Sequence, residues 1–190
     1  MITAYTHTYN SIERRIIVKC FVSAPKTLKG EDGEELKALW DTGASVTCIS
    51  TKLSERLGLP VIDSMDITVA DNRKVKADVH CVQLRMGSFI VPHVTAVVFN
   101  MDNCEHDVII GMDFMINGDT SISHYGGKTV LTFRQPSLET KDYVEELNLW
   151  NKCLKHHNIN IEKGLPDKCA CGSGKDFKNC HGKSVYGGGK

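Results

Sequence analysis

The sequence predicts a mainly β protein: a compact barrel or sandwich of short strands, then a helix, then a small cysteine-rich knuckle. Three observations carry this. From residue 12 to residue 135, β-branched and apolar runs alternate with turn residues roughly every 8–12 positions. After Pro136 the apolar spacing becomes helical. Between residues 169 and 181, three cysteines and a histidine are crowded together.

The strands are read in order. Ile16-Ile17-Val18-Lys19-Cys20-Phe21-Val22 is a β-branched run that ends at Pro25, and the polar stretch Lys29 to Glu35 is a hairpin loop. Leu36 to Trp40 starts the return strand. Lys52 to Leu57 fits a helix of about two turns, stopped by Gly58 and Pro60. Asp66 to Val79 forms a second hairpin around Ala70-Asp71-Asn72-Arg73. Val82 to Met86 and Phe89 to Phe99 follow, with Gly87-Ser88 as their turn, and Lys128 to Phe133 closes the set. From Ser137 to His157, Tyr143, Leu147, Trp150 and Leu154 make one helical stripe. Acidic residues lie early and Lys152, Lys155, His156 and His157 late, as the helix dipole favours. This gives three regions: a body over 12–135, a helical linker over 136–160 and a knuckle over 165–183.

Composition narrows the class. The 190 residues are 41% hydrophobic and 24% charged, a folded globular make-up. Net charge is zero but unevenly placed: residues 1–149 hold 15 Lys/Arg against 20 Asp/Glu, and residues 150–190 hold 8 Lys against 3 acids. A body and a basic tail with different partners, or simply a Lys-rich solvated surface, would both look like this. No run approaches the ~20 apolar residues of a membrane span, and the polar start lacks a signal-peptide core. A cytoplasmic protein with no membrane contact is expected, its eight cysteines thiols or metal ligands. Cys20, Cys48, Cys81, Cys104 and Cys153 are scattered and read as small buried hydrophobes.

The run Ala38-Leu39-Trp40-Asp41-Thr42-Gly43-Ala44-Ser45 is the informative one. Three apolar residues drive a strand inward and deliver a carboxylate at its end, where poor hydration favours the neutral acid. Gly43 lets the backbone turn back so that main-chain N–H groups can hold Asp41. Thr42 adds a hydroxyl able to bond across to a symmetry mate. The run resembles the active-site motif of retropepsin-like aspartic proteases. Asp107 to Met115, with Ile109-Ile110-Gly111 at its heart, resembles that family's late strand, which packs beneath the catalytic loop. Ser50 to Leu59 resembles the short helix of some cellular and bacterial members.

The resemblance implies a closed acid-protease barrel and hydrolysis of a peptide or protein substrate. Two carboxylates about 3 Å apart share a proton; one activates water and the other protonates the carbonyl oxygen. Only Asp41, supported by Thr42 and Gly43, suits the dyad, so a homodimer contributing one Asp41 from each chain is implied. Gly118-Asp119-Thr120-Ser121 echoes the motif without the apolar strand or the following Gly, and Asp119 is read as a turn residue. Asp113 is read as structural. The hairpin tip at Asp71-Asn72-Arg73-Lys74, where the family carries its flap, is charged and lacks glycine. Two alternatives stay open: a buried structural Asp41 in a non-catalytic copy of the fold, and a dimeric adaptor using its basic knuckle.

Cys169, Cys171, Cys180 and His181, spaced C-x-C-x8-C-H, are the donor types of tetrahedral Zn2+, with no open position left for catalysis. Disulfides or free thiols are the other reading. Residues 168–182 resemble the SEC-C motif, which implies a structural Zn2+ and a protein or nucleic-acid partner. So small a module needs metal to fold.

Overall fold

The computed structural model describes residues 2–25, 34–68, 72–148, 174–176 and 179–180. It divides into two compact units, Met1–Leu138 and Glu139–Lys190.

The first unit holds a barrel closed by six strands. β2 (Ile17–Ser23) pairs antiparallel with β3 (Glu34–Trp40), and β3 pairs parallel with β8 (Val108–Ile110). β4 (Cys48–Ser50) lies between β8 and β7 (Phe89–Phe99). β7 pairs with the long β6 (Lys74–Met86), and β6 returns to β2 at Phe21↔Arg85, closing the ring. β5 (Asp63–Thr68) hangs on the free end of β6 as a hairpin. Closure leaves the six strands without an open edge between β2 and β6. Inward positions alternate: Val18, Cys20 and Val22 are buried on β2, and Leu36, Ala38 and Trp40 on β3.

The helix expected at Lys52–Leu57 is α1, Thr51–Arg56. Ser50 caps it by accepting from the Leu53 amide, and Gly58, at φ +57°, ends it. The predicted loop at Lys29–Glu35 lies mostly outside the described residues. The hairpin expected around residues 70–73 is the β5–β6 turn, and Asn72 there has φ +64°. Asparagine supplies the left-handed conformation usually given to glycine, because its short polar side chain tolerates it.

Two expectations need correction. The last predicted strand does not close the barrel. As β10 (Thr129–Gln135) it is the centre of a separate sheet, flanked by β1 (Thr3–Tyr9) and β9 (Asp119–Ser123). β1 was not expected from the sequence, since its polar alternation looks like a tail. Pairing with β10, from Thr3↔Gln135 to Tyr9↔Thr129, makes it a strand. Asp119 is not a turn residue. It begins β9 opposite Arg134, whose Nε donates to it at 3.0 Å, while the Leu138 amide donates at 2.8 Å.

An aromatic cluster joins the two sheets. Trp40 of β3, Phe89 of β7, Phe114 of α2 (Met112–Met115) and Phe133 of β10 stack edge-on or tilted, with centroids 5.3–6.4 Å apart. Gly118 permits the approach, because a Cβ there would lie 2.1 Å from the Arg134 carbonyl oxygen and 2.7 Å from the Phe133 ring.

In the second unit residues 143–148 are helical, and Asp142 accepts from the Val144 and Glu145 amides at the helix start. Tyr143 and Leu147 of the predicted stripe are exposed. Trp150 and Leu154 lie outside the described residues. No helix among the described residues is long and apolar enough to cross a membrane.

Candidate active site

Asp41 follows the last residue of β3. Its neighbours Ala38 and Trp40 are buried, whereas Asp41 is half-buried, so the strand carries the carboxylate from the core to a rim. The Asp41 amide donates to the Ile110 carbonyl of β8 at 3.0 Å. The chain then turns back: the Gly43 amide donates to Asp41 Oδ1 at 2.8 Å, and the Ala44 amide to the Asp41 carbonyl at 3.3 Å. This is the use foreseen for Gly43. A Cβ there would crowd Asp41 Oδ1 at 3.2 Å.

The rest of the loop is bolted to the turn after β8. Met112 and Asp113 donate their amides to the carbonyls of Ala44 (2.8 Å) and Ser45 (3.2 Å). Asp113 takes two bonds from one residue, Thr47: the amide at 3.0 Å and the hydroxyl at 2.7 Å. Thr47 Oγ1 in turn accepts from the Gly111 amide at 3.1 Å. Asp113 is thus a brace, as the sequence suggested. Gly111 is the residue that lets the two segments touch, since a Cβ would stand 2.5 Å from the Val46 carbonyl carbon and oxygen. A carboxylate on such a loop has little freedom to move, and preorganisation of this kind suits general acid–base chemistry.

Thr42 is exposed beside Asp41. Asp119 lies on the other sheet, and its hydrogen bonds from Ser137, Leu138 and Arg134 hold its carboxyl well below the usual carboxylate range. A group that firmly ionised and that well satisfied is a poor proton-sharing partner.

One buried residue escaped the sequence reading. His106, just before β8, is 6% exposed, and its Nδ1 has no hydrogen-bond partner among the described residues. Burial first, then the Arg15 charge, lower the proton affinity of the ring, and Asp107, Asp41 and Glu105 partly restore it. A single histidine in a polar loop carried no pattern that could have marked it.

The scattered cysteines divide. Cys20 and Cys48 are buried as expected, and burial pushes their thiols up to about 12 and about 11. Cys81 is half-buried, Cys104 is exposed, and Cys153 is outside the described residues.

Of the four expected zinc ligands, Cys180 alone is among the described residues; Cys169, Cys171 and His181 are not. Gly174 sits at φ +69°, and the Asn179 amide donates to the Asp176 carbonyl at 3.0 Å. Three thiols and an imidazole form the donor set of a closed zinc site.

Among known proteins, the family described as aspartyl protease matches residues 27–114, and the SEC-C motif matches residues 166–183. Among solved structures the chain is similar to a retropepsin-like aspartic protease from Rickettsia conorii. The identity is 14% and the TM-score 0.47, over 71% of this chain and 96% of that one. It is also similar to the retroviral protease-like domain of Ddi1 from Leishmania major, at 18% identity and a TM-score of 0.40, over 67% and 97% of the two chains. No curated protein matches it.

Proposed function

We propose, for a chain whose residues 27–114 match the family described as aspartyl protease, that it is an endopeptidase with one active site per homodimer. The observation that carries the reading is the Asp41 loop. A half-buried carboxylate, held by Gly43 and braced by Thr47, Asp113 and Gly111, ends a strand at the barrel rim. No second aspartate among the described residues has that setting. Asp119 is occupied by Arg134, Ser137 and Leu138, and Asp113 by Thr47.

The dyad therefore draws one Asp41 from each of two chains. The three-stranded sheet supports pairing, because β1 and β9 are its edges and unpaired edges template association. The two carboxyls share one proton. The ionised one takes a proton from water as its oxygen attacks the peptide carbonyl carbon; the other gives its proton to the carbonyl oxygen. As the tetrahedral species collapses, the first carboxyl gives the proton it took from water to the amide nitrogen, the C–N bond breaks and the amine leaves, while a hydroxyl proton returns to the second carboxylate and restores the singly protonated pair. Gly43 fixes the carboxylate, and the hairpin of β5 and β6 covers the peptide.

In the knuckle, Cys169, Cys171, Cys180 and His181 would hold a structural Zn2+, which supplies folding energy to a segment too small for a core. We assign the knuckle to recruiting a protein or nucleic-acid partner and place the protein in the cytoplasm, where thiolate ligands stay reduced.

Subunit mixing tests the shared site. Asp41→Asn keeps the shape of the side chain and removes the acid. With random exchange, a threefold excess of this mutant leaves activity per wild-type chain at roughly a quarter of its starting value. Activity that tracks only the amount of wild-type chain, with exchange verified by labelled subunits, excludes a shared site.

A further inference from the structure

The Thr47–Asp113 brace also lines a cleft of about 280 Å³, built from residues of β7, α2 and the end of β10. Val91, Val94 and Phe114 give its lining an apolar part. Thr95, Asp113, Asn117 and Gln135 give it a polar one.

The polar part is anionic and uncompensated. Asp113 is half-buried, and no Lys, Arg or His among the described residues lies within ion-pair distance of it, His93 of the cleft lining included. A carboxylate that has given up part of its water without meeting a cation carries an unrecovered desolvation cost.

The hydrogen bonds define what a cation would meet. Asp113 Oδ1 accepts from the Thr47 hydroxyl at 2.7 Å and from the Phe114 amide at 2.8 Å, so both its lone pairs are taken. Oδ2 accepts only from the Thr47 amide, at 3.0 Å, and has one lone pair left. Asn117 spends its Nδ2 on the carbonyls of Asp113 and Phe114, at 2.8 and 3.1 Å, which leaves its Oδ1 as an acceptor. The side chains of Thr95 and Gln135 make no hydrogen bond among the described residues.

We propose that this cleft binds a primary ammonium group carried on a short aliphatic stem. The three N–H donors of an ammonium suit separate oxygens of Asp113, Asn117 and Gln135 or Thr95, and the stem suits Val91, Val94 and Phe114. A guanidinium fits less well. Its planar fork pairs best with both oxygens of a carboxylate, and Asp113 has only Oδ2 to offer. The site does not depend on whether Asp41 cleaves peptides. Two sources carry this chemistry, a free alkylamine and the lysine side chain of a polypeptide, and the measurement separates them.

Amide NMR of the full-length protein reads the cleft at low salt, in the Asp41→Asn variant so that no arm involves cleavage. n-Butylammonium chloride should shift the amides of Thr95, Asn117 and Gln135 saturably, with a midpoint in the millimolar range, and n-butylguanidinium should bind more weakly. Thr95→Val combined with Gln135→Leu removes two acceptors, leaves the Asp113 brace in place and should weaken butylammonium roughly tenfold. Asp113→Asn removes the charge and should abolish saturation; if it does not fold, the double variant decides alone. No saturable shift below about 50 mM, guanidinium binding as tight as ammonium, or undiminished binding to the folded double variant overturns the proposal. A short alanine peptide with one lysine is then compared with its norleucine counterpart. Tighter binding of the lysine peptide than of butylammonium assigns the cleft to a polypeptide lysine, and weaker or equal binding assigns it to a free amine. A norleucine peptide that binds as well as the lysine peptide shows recognition without charge and overturns the proposal.

Discussion

At the residue scale, the site depends on contacts too close for any side chain. Gly111 takes φ and ψ values that other residues adopt, so it is not there for backbone freedom. It is glycine because the carbonyl group of Val46 occupies the space of a Cβ, at 2.5 Å. The neighbour is main chain and cannot rotate away. Gly111→Ala should therefore push the Asp41 loop off the turn after β8 and loosen the Thr47–Asp113 brace. We expect a stability loss of about 2–3 kcal/mol in urea unfolding, with peptidase activity falling further than stability at temperatures where the mutant remains folded. Equal stability in wild type and mutant would show that the loop accommodates the methyl group.

At the element scale, the chain ends are tied together by β1, β10 and β9, and Asp119 is the charged fastener at the end of that sheet. Its ion pair with Arg134 joins opposite positions of β9 and β10, while Ser137 and Leu138 bind it from beyond β10. Hydrogen bonds and the guanidinium keep the folded carboxyl ionised well below the ordinary carboxylate range. A depressed folded pKa contributes stability that is present above the unfolded value near 4 and is lost as pH falls toward the folded one. Asp119→Asn should melt below wild type at pH 7, and the gap should narrow as pH drops through 4 toward 2. A gap in Tm that is constant with pH would place the effect in shape and not in charge. Of the elements themselves, α1, β2, β3, β5, β6 and β7 were legible because apolar alternation and turn residues act locally, whereas the three-residue β4 is too short to leave such a pattern. β1 was not, because its burial pattern is never deep and only its partner makes it a strand.

At the scale of the molecule, the unit Met1–Leu138 contains every strand found among the described residues, the aromatic cluster and the whole Asp41 loop. A chain ending at Leu138 retains the Asp119 contacts and should fold and cleave a short unstructured peptide, while the full chain should carry one zinc per copy and the shortened chain none. Elemental analysis and peptide turnover on the two proteins check both halves. Zinc that stays with the shortened chain would move the metal site into the barrel, and a full chain purified without metal would remove the knuckle assignment.

The sequence by itself marked two places as candidates for chemistry: an acid delivered by an apolar strand into a glycine turn, and a set of thiols and an imidazole at metal-ligand spacing. Both are local, and local spacing is what a sequence records. It also marked Ile109-Ile110-Gly111 as the partner segment, through resemblance. Only the tertiary structure decided that the last strand leaves the barrel, that Asp119 is a fastener, and that Gly111 is fixed by a neighbour 65 positions earlier in the chain. These depend on which distant segments meet, and a pairing across the barrel leaves no periodicity in either strand to announce it.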